Sequence, residues 1–131
     1  MKAMSATAIV IFAHGSSIES ANESVRRIAE SVQREGGFDL VEAAFLGGGS
    51  PDLDTAVATL VEKGATRVIV VPYFLTLGLH LQRDLPRIIS GLARNHPGVT
   101  IRTTPPLDGH PALSTILQER ARQALEAGRP N

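Results

Sequence analysis

The sequence has no cysteine. That excludes disulfides, thiolate metal sites and a cysteine nucleophile, so any metal has to sit on histidine, carboxylate or other oxygen donors. Tryptophan is absent too, there is one tyrosine, and aromatics make up 4% of residues, too few for a base-stacking platform. Net charge is lacking as well: 13 basic and 13 acidic side chains balance to zero. A polyanion such as DNA needs a basic footprint, and none is offered. No apolar run is long enough to cross a membrane. The longest near the N-terminus stops at His14 and has no convincing cleavage site after it, so it reads as a core strand of a cytoplasmic protein.

What is present is an ordinary globular balance, 43% hydrophobic and 20% charged over 131 residues, enough chain for one sizeable core. Residues 1–131 read as a single α/β domain, with an ordered core over about 5–127 and a frayed tail at Pro130 and Asn131. Strands and helices alternate. Residues 8–13 are a continuous Ile/Val-rich run, the mark of a strand buried on both faces. In "SIESANESVRRIAESVQREGG", Ala21, Val25, Ile28, Ala29 and Val32 fall at helical spacing, and Gly36 and Gly37 stop the helix.

Residues 40–46, "LVEAAFL", form a second strand. After "GGG", Ser50 offers an N-cap and Pro51 suits the first helical turn. Leu53, Ala56, Val57, Leu60 and Val61 supply that helix's apolar face, and Gly64 ends it. "TRVIVVPYFL" is a third buried strand. The spacing then predicts a helix over 84–95 with Asp84 as its N-cap, a short strand "VTIRT", and a last helix from about Pro111. Leu113, Ile116, Leu117, Ala124 and Leu125 are expected to face inward there. The order βαβαβαβα with short connections predicts an open, mostly parallel four-stranded sheet flanked by helices.

This topology sorts the four histidines. Ligands of open parallel sheets bind beyond the carboxyl ends of the strands. His14, His80 and His110 all follow strands, whereas His96, in "NHPG", lies at the opposite edge as a turn residue. His14 in "AHGSS" suits a metal ligand or general base, with Gly15 allowing close backbone approach and Ser16 and Ser17 able to bond an anion at the helix start. The plainer alternative is a loop histidine before a serine cap. His80 in "GLHLQRDLP" follows a flexible Gly78. It suits the same chemistry, or a helix terminus. His110 reads as a cap or packing residue.

Other motifs carry less. "GGGS" at 47–50 has neither the Lys-Ser/Thr of a P-loop nor a dinucleotide spacing. No Gly-x-Ser-x-Gly elbow points to a hydrolase. Arg83 and Arg87 fall four apart near His80, where they could meet a substrate carboxylate or simply face water.

Taken together, "FAHGS" at the end of the first strand and "VIVVPYFLTLGLHLQRDLP" through the third resemble the small class II chelatases of tetrapyrrole biosynthesis, the CbiX/SirB-type sirohydrochlorin chelatases. The spacing of Gly78, His80, Asp84 and Pro86 is the specific part. "AAFLGGGSPDLDTAV" and "PPLDGHPAL" extend the likeness over nearly the whole chain. The resemblance implies ATP-independent insertion of a divalent metal (cobalt, with iron or nickel as alternatives) into sirohydrochlorin. It implies metal-binding, catalytic roles for His14 and His80, and a substrate surface including Gly15, Ser16, Gly47, Gly78 and Arg83. It also implies a homodimer with substrate between facing edges, and no nucleotide, nucleic acid or membrane. One position departs: several relatives carry a glutamate directly after the "FL" of the second strand, where this chain has Gly47. That departure keeps open a non-catalytic carrier of tetrapyrrole or metal. A flavodoxin-like binding domain explains neither histidine.

Overall fold

The computed structural model describes residues 6–128. Four parallel strands, β1 (Thr7–Ala13), β2 (Leu40–Phe45), β3 (Arg67–Pro72) and β4 (Thr100–Thr103), form one sheet in the order β2-β1-β3-β4. Helices α1 (Glu19–Gly36), α2 (Leu53–Glu62), α3 (Gly78–Asn95) and α4 (Ala112–Ala127) alternate with them. Fold class and element order are those the sequence predicts. The expected tail at 130–131 lies outside the described residues.

β1 is central, paired with β2 on one side and β3 on the other, and helices cover both its faces. Ala8, Val10 and Phe12 join Val68, Val70 and Ile101 under α2 and α3. Ile9, Ile11 and Ala13 join Ala43 and Phe45 under α1. Burying these aliphatic side chains on both faces stabilises the strand by about 1.5–3 kcal/mol for each large one.

Three boundaries differ from expectation, each for a physical reason. α2 is capped by Asp52 and not by Ser50: the Asp52 carboxylate accepts from Thr55 N at 2.9 Å. Pro51 is kept out of the helix because its carbonyl accepts from Phe45 N at 2.9 Å, holding 51–52 extended beside the end of β2. α3 begins at Gly78, six residues before the predicted Asp84, so Asp84 is not its N-cap and Pro86 lies inside the helix. One proline removes a single N–H bond from a long helix, and burial of Leu81, Leu85 and Leu92 outweighs that loss. β3 stops at Pro72, short of the predicted 75. Beyond it only Tyr73 N still bonds to β1, at Phe12 O.

Burial corrects the helical faces. On α1 the inward line is Asn22, Val25 and Ala29, while Ala21 and Ile28, expected inside, are exposed. α4 buries none of its residues: Ile116, Leu117 and Leu125 are 49%, 69% and 73% exposed, contrary to the inward face predicted for them. Correspondingly β3 is not buried on both faces. Val68 and Val70 are covered, whereas Ile69 and Val71 on the α1 side are only half-buried. α1 packs over β1 and β2, and α4 buries nothing against the remaining half of that face.

The hydrogen bond from Thr55 holds the Asp52 carboxyl below its ordinary value. A depressed carboxylate stabilises the fold above its unfolded pKa, and that stability is lost as pH falls through the folded value. Asp52→Ala is therefore expected to melt at lower temperature than the parent near neutral pH, with the gap closing on acidification through the carboxylate range. Thermal melts at a series of pH values check this, and a constant gap would refute the cap's charge dependence.

Candidate metal site at the carboxyl edge

α1 carries the chain from β1 to β2 across one face, and α2 carries it on to β3 across the other. The strand order therefore reverses between β1 and β3. Such a switch point opens a crevice beyond the strand ends. His14 is the first residue after β1, and His80 lies in the first turn of α3, which follows β3. The two histidines thus flank the switch point, and both are exposed. His110 also lies on this edge, but its Nδ1 accepts from Ala112 N at 3.0 Å, which makes it a cap for α4. His96 ends α3 at the opposite edge.

The loop carrying His14 is fixed from several directions. Leu46 N donates to Ala13 O at 2.9 Å and Gly47 N to His14 O at 3.0 Å, so the β1–β2 ladder continues past both strands. Gly15 has φ +90°, and a Cβ there would lie 1.6 Å from the Gly47 carbonyl oxygen. Only glycine permits this approach. Asn22, 1% exposed, clamps the two loops. Its Oδ1 accepts from Ser16 N at 2.9 Å, and its Nδ2 donates to Ser16 O at 2.9 Å and Gly48 O at 3.1 Å. Ser16 is consequently occupied: its N–H serves Asn22, and its Oγ accepts from Ile18 N at 3.0 Å. The expected anion site at Ser16 loses its backbone donor.

Arg26 reinforces the same corner. It bonds Glu19 at 2.7 Å and Ser50 O at 3.2 Å, and stands over the Phe45 ring at 5.4 Å. The Arg26 guanidinium, helped by the Asn22 amide, lowers the Glu19 carboxyl from its ordinary value.

Two contacts orient the His14 ring among the described residues. Its Nδ1 lies 3.2 Å from Gly15 O. With the proton on Nδ1, that nitrogen donates to the carbonyl and Nε2 carries the free lone pair, the usual arrangement of a ligating histidine. Its edge meets Phe74, with centroids 6.3 Å apart and planes at 65°. Gly78, at φ +73°, opens α3 two residues before His80, and a Cβ there would meet nothing. Gly47 also borders open space and has no positive φ, so the position could hold a side chain. Glu42 does not substitute for one there: it pairs with Lys63 at 3.8 Å from mid-β2. Arg83 and Arg87 are exposed and share one outward stripe of α3 with Ser90 and Arg94. Arg83 forms no ion pair among the described residues.

Among the described residues no three His, Asp or Glu side chains gather as a preformed metal cage. A cleft of about 440 Å³ lies next to the edge, walled by Val71, Pro105, Pro106, Leu107 and Pro111. No helix among the described residues is long and apolar enough to cross a membrane.

The sequence reading missed Asn22 and Phe74. Asn22 was detectable as a polar residue in register with Val25 and Ala29 on the buried helical face. Phe74 carried no comparable signal, because its role depends on β3 ending early.

A parallel sheet of order 2-1-3-4 with helices on both faces makes this a doubly wound α/β protein, with a histidine on each side of its switch point. The model of the CbiX family matches residues 8–124, and the chain belongs to that family. It is 30% identical over 120 residues to the sirohydrochlorin cobaltochelatase of Priestia megaterium, covering 92% of this chain and 39% of that one. A crystal structure of a cobalamin (vitamin B12) biosynthesis CbiX protein from Marinobacter aquaeolei VT8 superposes with a TM-score of 0.80 at 32% identity, over 93% of this chain and 99% of that one. The sirohydrochlorin chelatase SirB of Bacillus subtilis, in complex with cobalt, superposes at 0.81 and 25% identity, over 89% of this chain and 50% of that one. The chain spans between 39% and 62% of the length of the first curated relatives that it matches.

The glycine geometry yields a paired test. Gly15→Ala is expected to lower unfolding stability by about 1–3 kcal/mol or more, through left-handed strain and collision with the Gly47 carbonyl. Gly47→Ala is expected to leave it within about 0.5 kcal/mol. Denaturant titration of both variants checks this, and equal stabilities would refute the backbone contact.

Proposed function

We propose that this chain inserts a divalent metal, with cobalt favoured over iron or nickel, into sirohydrochlorin in the cytoplasm, without a nucleotide. The observation that carries this reading is the pair His14 and His80, set by β1 and β3 on either side of the switch point. The names of the relatives and the cobalt in the SirB complex support the choice of substrate and metal.

The chemistry follows from the residues. The metal is a substrate and has to be released again. Two neutral imidazoles suit that: they bind cobalt, iron and nickel, and without thiolates they do not hold them irreversibly. As the metal passes to the macrocycle nitrogens, two pyrrole N–H protons leave, and each imidazole freed from metal can accept one. Gly15, Gly47 and Gly78 keep the edge low, leaving room for a flat ring. Arg83 is the proposed partner for a peripheral carboxylate, bonding it through its guanidinium fork. Ser16 contributes through its loop position, since its polar groups are engaged locally.

A homodimer completes this reading. α4 exposes Ile116, Leu117 and Leu125, and the sheet leaves Ile69 and Val71 half-covered. Two exposed apolar surfaces of one chain suit a reciprocal, self-complementary contact. SirB, of which this chain matches half, has length for a second such unit.

The first experiment mixes purified protein with sirohydrochlorin and Co²⁺ without oxygen and follows the absorption spectrum against a control lacking enzyme. Multiple turnovers are expected, and stoichiometric binding without turnover would overturn the enzymatic reading in favour of a carrier. His14→Ala and His80→Ala are each expected to slow insertion about 10²-fold or more while melting like the parent, since both side chains are exposed. Unimpaired insertion would remove the site assignment. Light scattering is expected to give twice the chain mass, falling to one mass in the double variant Leu117→Glu, Leu125→Glu. A monomeric parent would refute the dimer.

A further inference from the structure

Phe74 is the side chain that connects the two histidine-bearing segments. It sits two residues after β3, and six residues before His80. Its ring packs at 6.0 Å on Phe12, in the last turn of the pleat before His14, and meets the His14 imidazole edge-on at 6.3 Å. The ring also rests against the core beneath α2 and α3, so it cannot swing freely. Its backbone is fixed as well: Leu107 N donates to Phe74 O and Asp108 N to Leu75 O, both at 2.9 Å. These bonds zip the segment after β3 to the loop after β4. One ring therefore touches His14, while its own main chain leads to His80 and is anchored to a third loop.

From this geometry we infer that Phe74 is a positioning residue for His14, holding the imidazole so that Nδ1 stays on Gly15 O and Nε2 remains free for metal. The inference deepens the proposed insertion reaction and rests on that reading for its kinetic consequence. The physical basis is separate from it. An imidazole on an exposed loop has a free χ2 rotation, and a weak contact at 3.2 Å to the adjacent carbonyl is a poor restraint. An edge-to-face neighbour packed against the core removes one side of that rotation. Aromatic pairs of this geometry contribute beyond simple burial, and a ligand already turned to its binding orientation loses less entropy when the metal arrives.

The test compares the parent with Phe74→Leu, which keeps apolar bulk and loses the ring, and Phe74→Tyr, which keeps the ring. NMR of the histidine side chains, with His14 assigned by its absence from His14→Ala, reads the ring contact directly. Phe74→Leu is expected to move the His14 ring-proton resonances and to weaken Co²⁺ binding, measured by calorimetry on the protein alone, about two- to ten-fold. Insertion should show the same factor in kcat with little change in KM for sirohydrochlorin. Phe74→Tyr should restore all three. Phe74→Met serves the same comparison if Phe74→Leu does not fold. Unchanged His14 resonances together with unchanged Co²⁺ affinity in the ring-lacking variant would overturn the inference. Should the parent itself insert no metal, the proposed reaction falls, while the resonances and the Co²⁺ titration still decide the role of Phe74.

Discussion

The candidate site depends on one buried amide. Asn22 is placed by a helical face otherwise lined with Val25 and Ala29, where an unsatisfied polar group would cost about 1–3 kcal/mol. It is satisfied chiefly by the loops after β1 and β2, which present Ser16 N, Ser16 O and Gly48 O to it together, with Glu19 Oε1 as a longer partner at 3.3 Å. The dependence runs both ways. The amide needs that loop geometry, and the loops are drawn together through it. Gly15 and Gly48 are part of the same fit: a Cβ on Gly15 would strike the Gly47 carbonyl, and one on Gly48 would press on the Ser16 backbone. His14, lying inside this clamp, inherits its position.

A chain of position therefore leads from core to edge. β1 is rigid because both its faces are buried. Its ladder with β2 extends beyond the strands through Ala13 and His14 carbonyls. Asn22 and Arg26 then tie α1 to the β2–α2 loop, and Phe74 brings in the segment that leads to α3. Function at the edge of a parallel sheet requires side chains to leave rigid strands almost at once. His14 does so with no intervening residue. His80 takes a different route, since it stands eight residues past β3 and relies on a helix that starts at Gly78.

Much of this was legible in the sequence, for reasons that differ by element. β1 and the buried face of α2 read correctly because their burial is local and periodic. The parallel topology followed from alternation, and it alone placed His14 and His80 on one edge. Errors arose where tertiary context overrode a local signal. Asp84 and Pro86 imitate a helix start, but buried leucines on both sides carry α3 through the proline. Ser50 and Pro51 imitate another, yet the bond from Phe45 N to Pro51 O keeps that segment extended. α4 has an amphipathic pattern that was read as packing on its own sheet. Periodicity reports that a face is apolar and says nothing about which chain covers it. Asn22 escapes an apolar periodicity for a related reason: a buried polar group is admissible whenever its partners are supplied, and those partners lie on distant loops.

The proposed ligand set, His14 and His80, differs from that of a structural metal site in a way that bears on mechanism. A site built to retain a metal closes its coordination sphere with several anionic or thiolate donors. Here the sequence removes thiolates, Gly47 leaves open space beside His14, and Glu42 is directed to Lys63. What remains on the proposed reading is a pair of imidazoles on an open edge. Such a pair keeps most of the coordination sphere accessible to water or to an incoming ring nitrogen, and it adds no negative charge to resist release of the cation. For a protein that hands its metal on, incomplete coordination is a requirement of the chemistry. On the proposed reading, the two histidines on either side of the switch point determine where the metal is held, and the open space at Gly47 leaves its coordination incomplete.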